Sequence, residues 1–151
     1  MTPAYKKSFF WIAVALFLFQ YFFLYVDFSN GCFIKITPSL LEWNNVTMKR
    51  ALRVLKYAAP DDYRKVCMHV RIINPNISCG GFNGGCFHEP YNGKEPGKID
   101  VSTSYGSLLW SAGVIVHETC HLMQYKEHRS LDESECYHAD DRILRKLTQF
   151  E

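Results

Sequence analysis

The stretch His117-Glu118-Thr119-Cys120-His121 lies inside a segment, residues 107–125, that contains no proline. At 3.6 residues per turn, two histidines four positions apart stand on the same face of a helix, where both imidazoles can bind one metal ion. Glu118 lies beside them and can accept a proton. The pattern therefore predicts one helix that presents a metal-binding pair and an acid–base group together.

Apolar residues around this stretch recur every three or four positions, which predicts one buried helix face. They are Leu109, Ala112, Val116, Cys120 and Met123. The two histidines then border the core. The alternative is that both histidines are hydrogen-bonded or solvated and that Glu118 is an ordinary surface charge.

A catalytic zinc takes three protein ligands and leaves a fourth position for water, so a further ligand is expected on another element. Residues 130–140 contain the candidates and predict the start of a second helix, with Ser130 as its cap. Glu133 falls at the third helical position and Glu135 two residues later. A carboxylate at the position of Glu133 could instead serve only to cap the helix.

The HExxH stretch, a short loop and Glu133-Ser134-Glu135-Cys136 at a helix start together resemble the gluzincin metallopeptidases in their smallest form. The resemblance implies a zinc cofactor bound by His117, His121 and Glu133, with Glu118 as the general base. It also makes Cys136 the small residue that packs against the metal helix. Glu135 stays the rival third ligand.

Further polar residues have possible roles at such a site. Hydrogen-bond donors to a developing oxyanion could be Tyr105, Tyr137 or His138. Either Asp140 or Asp141 could orient a ligand histidine. Other possible metal ligands are His88, His128 and His138. The glycine and third histidine that metzincins place after HExxH are missing, which disfavours that family.

Residues 8–26 form an apolar run interrupted only by Gln20, with Lys6 and Lys7 before it and Asp27 after it. Its length and flanks predict a transmembrane helix with the N-terminus in the cytoplasm. A cleaved signal peptide is the alternative, but no Ala-x-Ala-like site follows. The expected organisation is a cytoplasmic N-terminus (1–7), an anchor (8–26), a juxtamembrane linker (27–36) and one extracytoplasmic domain (37–151).

All six cysteines follow this run, and an even number in an oxidising compartment predicts three disulfides. Cys79 and Cys86 bracket a glycine-rich segment. Cys120 and Cys136 lie on the faces by which the metal helix and the ligand helix should pack. That leaves Cys32 with Cys67.

The remaining segments predict a single α+β domain, because about 120 residues suffice for one compact core. A helix is expected from residue 37 to residue 59, and strands over residues 66–73 and 98–104. In zincins the strand before the metal helix is an exposed edge that pairs with the substrate, and Ile99 to Ser104 occupies the matching place. A net charge of +2 gives no indication of a nucleic-acid partner.

The sequence thus predicts a membrane-anchored zinc metallopeptidase that hydrolyses peptide or protein substrates outside the cytoplasmic membrane. The alternative function is a non-catalytic module of the same fold that binds a peptide or a cell-envelope partner.

Overall fold

The computed structural model describes residues 3–38, 45–75, 84–89, 97–102 and 106–148, and this part of the chain is α+β. Its α-helices are α1 (Pro3–Phe22), α2 (Asn45–Ala58), α3 (Pro60–His69), α4 (Leu108–Lys126) and α5 (Glu133–Thr148). Its strands are β1 (Leu24–Asp27), β2 (Cys32–Ile36), β3 (Ile72–Pro75), β4 (Gly85–His88) and β5 (Lys98–Val101).

The five described strands form one mixed sheet in the order β1-β2-β3-β5-β4. The inner pairs, β2 with β3 and β3 with β5, are parallel, whereas β1 and β4 pair antiparallel with their neighbours. Strand β5 is therefore an inner strand, and the prediction that Ile99 to Ser104 forms the exposed edge is wrong for residues 99–101, while residues 103–104 lie outside the described chain. Among the described strands, β4 is the edge strand beside α4. Its residues 85–88 pair with residues 98–101 of β5, and β4 stands last in the strand order.

Helix α4 packs against α2, α3, α5 and the β4–β5 pair. Ile115 and Leu122 are fully buried. Gly113 lets α5 approach closely, since a Cβ there would lie 3.3 Å from a methyl carbon of Leu144. The helix begins as predicted, with the Ser107 hydroxyl accepting a hydrogen bond from the backbone N–H of Trp110.

The predicted transmembrane segment, residues 8–26, is not one helix. Helix α1 ends at Phe22, and residues 24–27 form β1, whose Tyr25 and Asp27 side chains are buried. No helix among the described residues is long and apolar enough to cross a membrane. The predictions of a transmembrane anchor over residues 8–26 and of a single-pass location in the cell membrane are therefore wrong. Pairing with β2 takes the last residues of the apolar run into the sheet.

Three further segments differ from expectation. The predicted linker, residues 27–36, contains a 3-10 turn, Phe28–Asn30, and the inner strand β2. The predicted strand 66–73 begins as the end of α3, and β3 starts only at Ile72. Pro60, Asp61 and Asp62 in the first turn favour a helix here. Their effect outweighs the strand preference of the β-branched residues that follow. The predicted helix from residue 37 is observed from Asn45, and residues 39–44 lie outside the described chain.

Two predicted disulfides are confirmed. Cys32 is bonded to Cys67, and Cys120 to Cys136, with Cα–Cα distances of 4.8 and 5.5 Å. Cys86 is also disulfide-bonded. Its predicted partner, Cys79, lies outside the described residues.

Candidate metal centre

Three side chains from α4 and the start of α5 converge at one point. The Nε2 atoms of His117 and His121 lie 3.1 Å apart. The Oε2 atom of Glu133 lies 3.3 Å from the first and 3.2 Å from the second. These three side chains could hold a metal ion. The histidine side chains are nearly buried, at 12% and 5% exposed, whereas Glu133 is 64% exposed and closes the site from the solvent side.

The ring orientation of His121 is set by Gln124, which is fully buried. The Gln124 amide nitrogen donates to the Asp132 carbonyl at 3.1 Å and to Glu135 at 2.9 Å. Its Oε1 atom therefore is the acceptor for the Asp132 backbone N–H and, at 3.2 Å, for the Nδ1 of His121. The proton of neutral His121 consequently sits on Nδ1, and its Nε2 carries a lone pair.

The ring of His117 is oriented in the same way by a carboxylate. Its Nδ1 lies 3.1 Å from the Oδ2 of Asp140, one of the two aspartates considered for this role. Burial raises the pKa of Asp140, and the neighbouring His117 opposes that shift. An acceptor at Nδ1 leaves the lone pair of Nε2 directed at the centre, as in the carboxylate–histidine arrangement of many metal sites.

The donor set fits zinc. Tetrahedral ligands with bonds of 2.0 to 2.1 Å are about 3.3 Å apart, close to the three separations found here. Two imidazole nitrogens and one carboxylate oxygen this close together are stabilised by a shared cation or a shared proton. The three side chains could therefore hold a zinc ion, and all three line the cleft.

Glu133 and Glu135, the two predicted alternatives for the third ligand, point in different directions. Glu133 reaches both histidines, whereas Glu135 accepts hydrogen bonds from Gln124 and Arg129. Arg129 and then Gln124 lower the pKa of Glu135 to about 2. The helix cap also differs from the prediction. Asp132, not Ser130, accepts the backbone N–H groups of Ser134 and Glu135, and Glu133 is the first helical residue.

Glu118 lines the cleft next to this centre, and it is buried, with only 4% of its surface exposed. Burial and then the negative charge of Glu133 raise its pKa to about 8, and the backbone N–H of Phe87 opposes this by donating to the carboxylate. A carboxyl group in such surroundings can bind and release a proton near neutral pH.

Gly85 makes the contact between β4 and Glu118 possible. A Cβ at this position would lie 2.7 Å from a methyl of Val114 and 2.8 Å from the Cγ of Glu118. Strand β4 therefore approaches α4 closely enough for Phe87 to reach Glu118. The Phe87 ring also stacks on His121, with ring centroids 5.8 Å apart.

A cleft of about 680 Å³ runs over the centre. Its walls are residues 84–87, most of them in β4, the cleft-facing side of α4, and α5. Apolar side chains continue it beyond the metal ligands: Trp110, Val114, Leu131 and Leu144. A smaller cavity of about 120 Å³, on the side of Cys120, shares no residue with this cleft.

The other predicted site residues have different positions. Tyr137 lines the cleft, with its ring centroid 4.8 Å from that of His117. His138 and His128 are exposed and do not line it, and His88 lies 2.7 Å from Asp100. Tyr105 lies outside the described residues. Sequence reasoning did not assign a role at the site to Gln124 or Phe87. Gln124 could have been found, because it lies three residues after His121 and so on the same side of the helix as the two histidines.

Comparison of the chain with protein-family models, with curated proteins and with solved structures finds no match.

Proposed function

We propose that this protein is a zinc-dependent peptidase of gluzincin type, with His117, His121 and Glu133 as the metal ligands. The observation that carries the proposal is the convergence of three electron-pair donors within 3.3 Å, with both imidazoles held in the ligating tautomer by Asp140 and Gln124. A zinc ion would join these three donor atoms, whose separations and orientation suit it.

The roles of the chain's own groups follow from their positions. Zinc, when bound, supplies a Lewis acid that polarises a carbonyl and acidifies a water molecule. Glu118 takes the proton of the attacking water and delivers it to the leaving amine. The backbone N–H of Phe87 holds the Glu118 carboxylate toward the cleft. Tyr137 lies on the α5 wall of the cleft. Of the three predicted donors to the oxyanion, it is the one that the described residues bring into the cleft.

A peptide is the substrate that suits the cleft best. Among the described residues, β4 pairs only with β5, and its other edge faces the cleft beside the catalytic carboxylate, although the Phe87 N–H on that edge already donates to Glu118. An extended peptide can pair with such an edge through main-chain hydrogen bonds. The apolar side chains Trp110, Val114 and Leu144 then contact the substrate's side chains.

The test combines metal analysis with hydrolysis of a broad peptide library by the full chain. We expect one zinc per chain and cleavage by the wild type, whereas Glu118→Gln keeps the zinc and loses cleavage, because an amide cannot accept the proton. Wild-type cleavage rates in Glu118→Gln would refute the role of this residue. Stoichiometric zinc with no cleavage by the wild type would favour a non-catalytic binding module.

A further inference from the structure

A second groove lies at the other end of the sheet, between β1 and α2. Its volume is about 270 Å³, and it shares no residue with the metal cleft. One wall is the backbone of β1. The other carries Lys49, Arg53 and Lys56, and tyrosines stand at its ends. We call it the basic groove.

Strand β1 offers hydrogen-bonding groups to this groove. Within the described part of the chain it pairs with β2 only. The backbone N–H of Ile36 donates to the Phe23 carbonyl at 2.7 Å. Because the bonds of an antiparallel pair alternate, Tyr25 and Asp27 bond to β2, while the N–H and C=O groups of Leu24 and Val26 point away from it. Those groups form a free sheet edge along the groove.

Helix α2 runs beside this edge in the same direction. Asn45 donates to the Phe22 carbonyl at 3.0 Å, and Lys56 pairs with Asp27 at 2.8 Å. Between these contacts the helix rises about 16 Å, and the strand advances by about the same distance. The groove between them is therefore about as long as five residues of an extended strand.

Two of the three cations on this wall are not neutralised by described residues. Asp27 pairs with Lys56 and accepts further hydrogen bonds from Ser29, Asn30 and Tyr63. Lys49 contacts the Tyr21 carbonyl, at 3.4 Å, and lies over the rings of Tyr21 and Phe22, but neither contact supplies a negative charge. Arg53 makes no ion pair within the described chain. Burial and then the charge of Arg53 lower the pKa of Lys49. A carboxylate placed between them would relieve this repulsion.

The spacing of these cations matches a strand. Residues four apart on a helix are separated by about 6 Å along its axis, and alternate residues of a strand by about 6.6 Å. Acidic residues at every second position of a strand in the groove would face Lys49 and Arg53 in turn. The same charges disfavour pairing with a neutral or basic edge, including a second copy of β1.

We propose that the basic groove binds an extended acidic segment of a partner protein, which adds to β1 as an outer strand and pairs its alternate carboxylates with Lys49 and Arg53. Main-chain bonding to Leu24 and Val26 supplies the affinity, and the cations select the sequence. This surface is independent of the proposed peptidase activity.

The probe is a short fluorescent peptide of alternating valine and glutamate, titrated into the full chain. We expect saturable binding that weakens with salt, and a rise in Kd of about tenfold or more for Arg53→Glu. Arg145→Glu makes the same charge change on the exposed side of α5, outside the groove, and should leave Kd unchanged. Failure of the peptide to bind, or equal losses in both variants, overturns the proposal.

Two N-methylated forms of the peptide test the strand pairing. One carries the methyl groups on its valine amides and the other on its glutamate amides, so that only one form blocks the donors facing β1. We expect one form to lose binding and the other to retain it, with or without zinc in the protein. Equal binding of both forms, or tighter binding of an oligodeoxythymidine, would mean capture by charge alone and would overturn the strand-addition proposal.

Discussion

At the scale of single residues, the metal centre depends on side chains that do not touch the metal position. Gln124 illustrates this, because its amide joins His121 of the metal helix to Asp132 and Glu135 of the next helix. Its two donors have fixed partners, so its oxygen has to accept from the His121 ring. One buried amide thus sets both the histidine tautomer and the position at which α5 begins.

Gln124→Leu should weaken zinc binding by about 10- to 100-fold, because an aliphatic side chain of similar volume cannot orient His121. Zinc affinity measured against a competing chelator checks this. Thr119→Val is a matched control, since Thr119 is also buried on α4 but bonds only to the Ile115 carbonyl. Equal zinc affinities for Gln124→Leu and the wild type would contradict the orienting role.

The two neighbouring glutamates should respond oppositely to loss of charge. Glu133→Gln removes a charged ligand and should lower zinc affinity about tenfold or more. Glu135→Gln keeps an acceptor for Gln124 and Arg129 and should stay near the wild type. Isothermal titration of the metal-free proteins with zinc makes the comparison. The reverse ranking would transfer the ligand role to Glu135.

At the scale of elements, the site is a property of the α4–α5 pair. The ligands come from two helices joined by a short connection, and the Cys120–Cys136 disulfide links them covalently. The sulfur of Cys136 lies 3.6 Å from the Nδ1 of His121, so the bridge also packs directly behind a ligand. The close approach at Gly113 and Leu144 lets the same two helices continue the cleft wall.

Replacing both Cys120 and Cys136 by serine should lower stability and zinc affinity together. A bridge closing a loop of about 15 residues contributes roughly 3 kcal/mol in the chain-entropy description. The matched control replaces Cys32 and Cys67, whose bridge joins β2 to α3 away from the cleft. That variant should lose stability and keep its zinc affinity. Denaturant unfolding and zinc titration are measured on both proteins, and unchanged zinc affinity in the first variant would separate the bridge from the site.

At the scale of the whole molecule, β1 is held by contacts with α2 and α3. Asp27 accepts from Lys56 on α2 and from the Tyr63 hydroxyl on α3, and Tyr63 also bonds to Tyr25. The Lys56 ammonium, followed by the Ser29 hydroxyl, holds the pKa of Asp27 well below its ordinary value. Lys56 and Tyr63, about 30 or more residues away in sequence, thereby stabilise β1, the strand at the end of the apolar run.

Asp27→Asn should lower the free energy of unfolding by about 1 to 3 kcal/mol at neutral pH, because the Lys56 ammonium and the buried Tyr63 hydroxyl lose a charged acceptor. The pKa of Asp27 is lower in the folded than in the unfolded chain, so its stabilisation is present above the unfolded value. It is lost as the pH falls toward the folded value. The difference between the variant and the wild type should therefore shrink in acid.

Denaturant unfolding at neutral and acidic pH tests this prediction. Asp61→Asn serves as the control, since it removes an exposed ion pair with Arg64 and one first-turn charge of α3, and should change stability by less than about 1 kcal/mol. A constant difference between Asp27→Asn and the wild type across the pH range would count against the Asp27 assignment.

The local sequence predicted the features that depend on one element or on the packing of two neighbouring helices. Helical spacing predicted the α4 face with His117 and His121, and the position of Cys136 predicted its bridge to Cys120. The resemblance to gluzincins selected Glu133 over Glu135, and Glu133 is the one that lies with both histidines, although the cap was assigned to the wrong residue. These features follow from periodicity over a few turns, which the chain itself displays.

Only the tertiary structure decided the features that depend on pairing between distant segments. The apolar run of residues 8–26 has the composition of one long helix, but its end pairs with β2 and becomes a sheet edge. Composition does not show which neighbour a strand has, so β4, and not β5, was found beside Glu118 only in the folded chain. The physical reason is that strand pairing and side-chain direction are settled by burial and hydrogen bonding across the whole core, whereas periodicity reports only the faces of a single element.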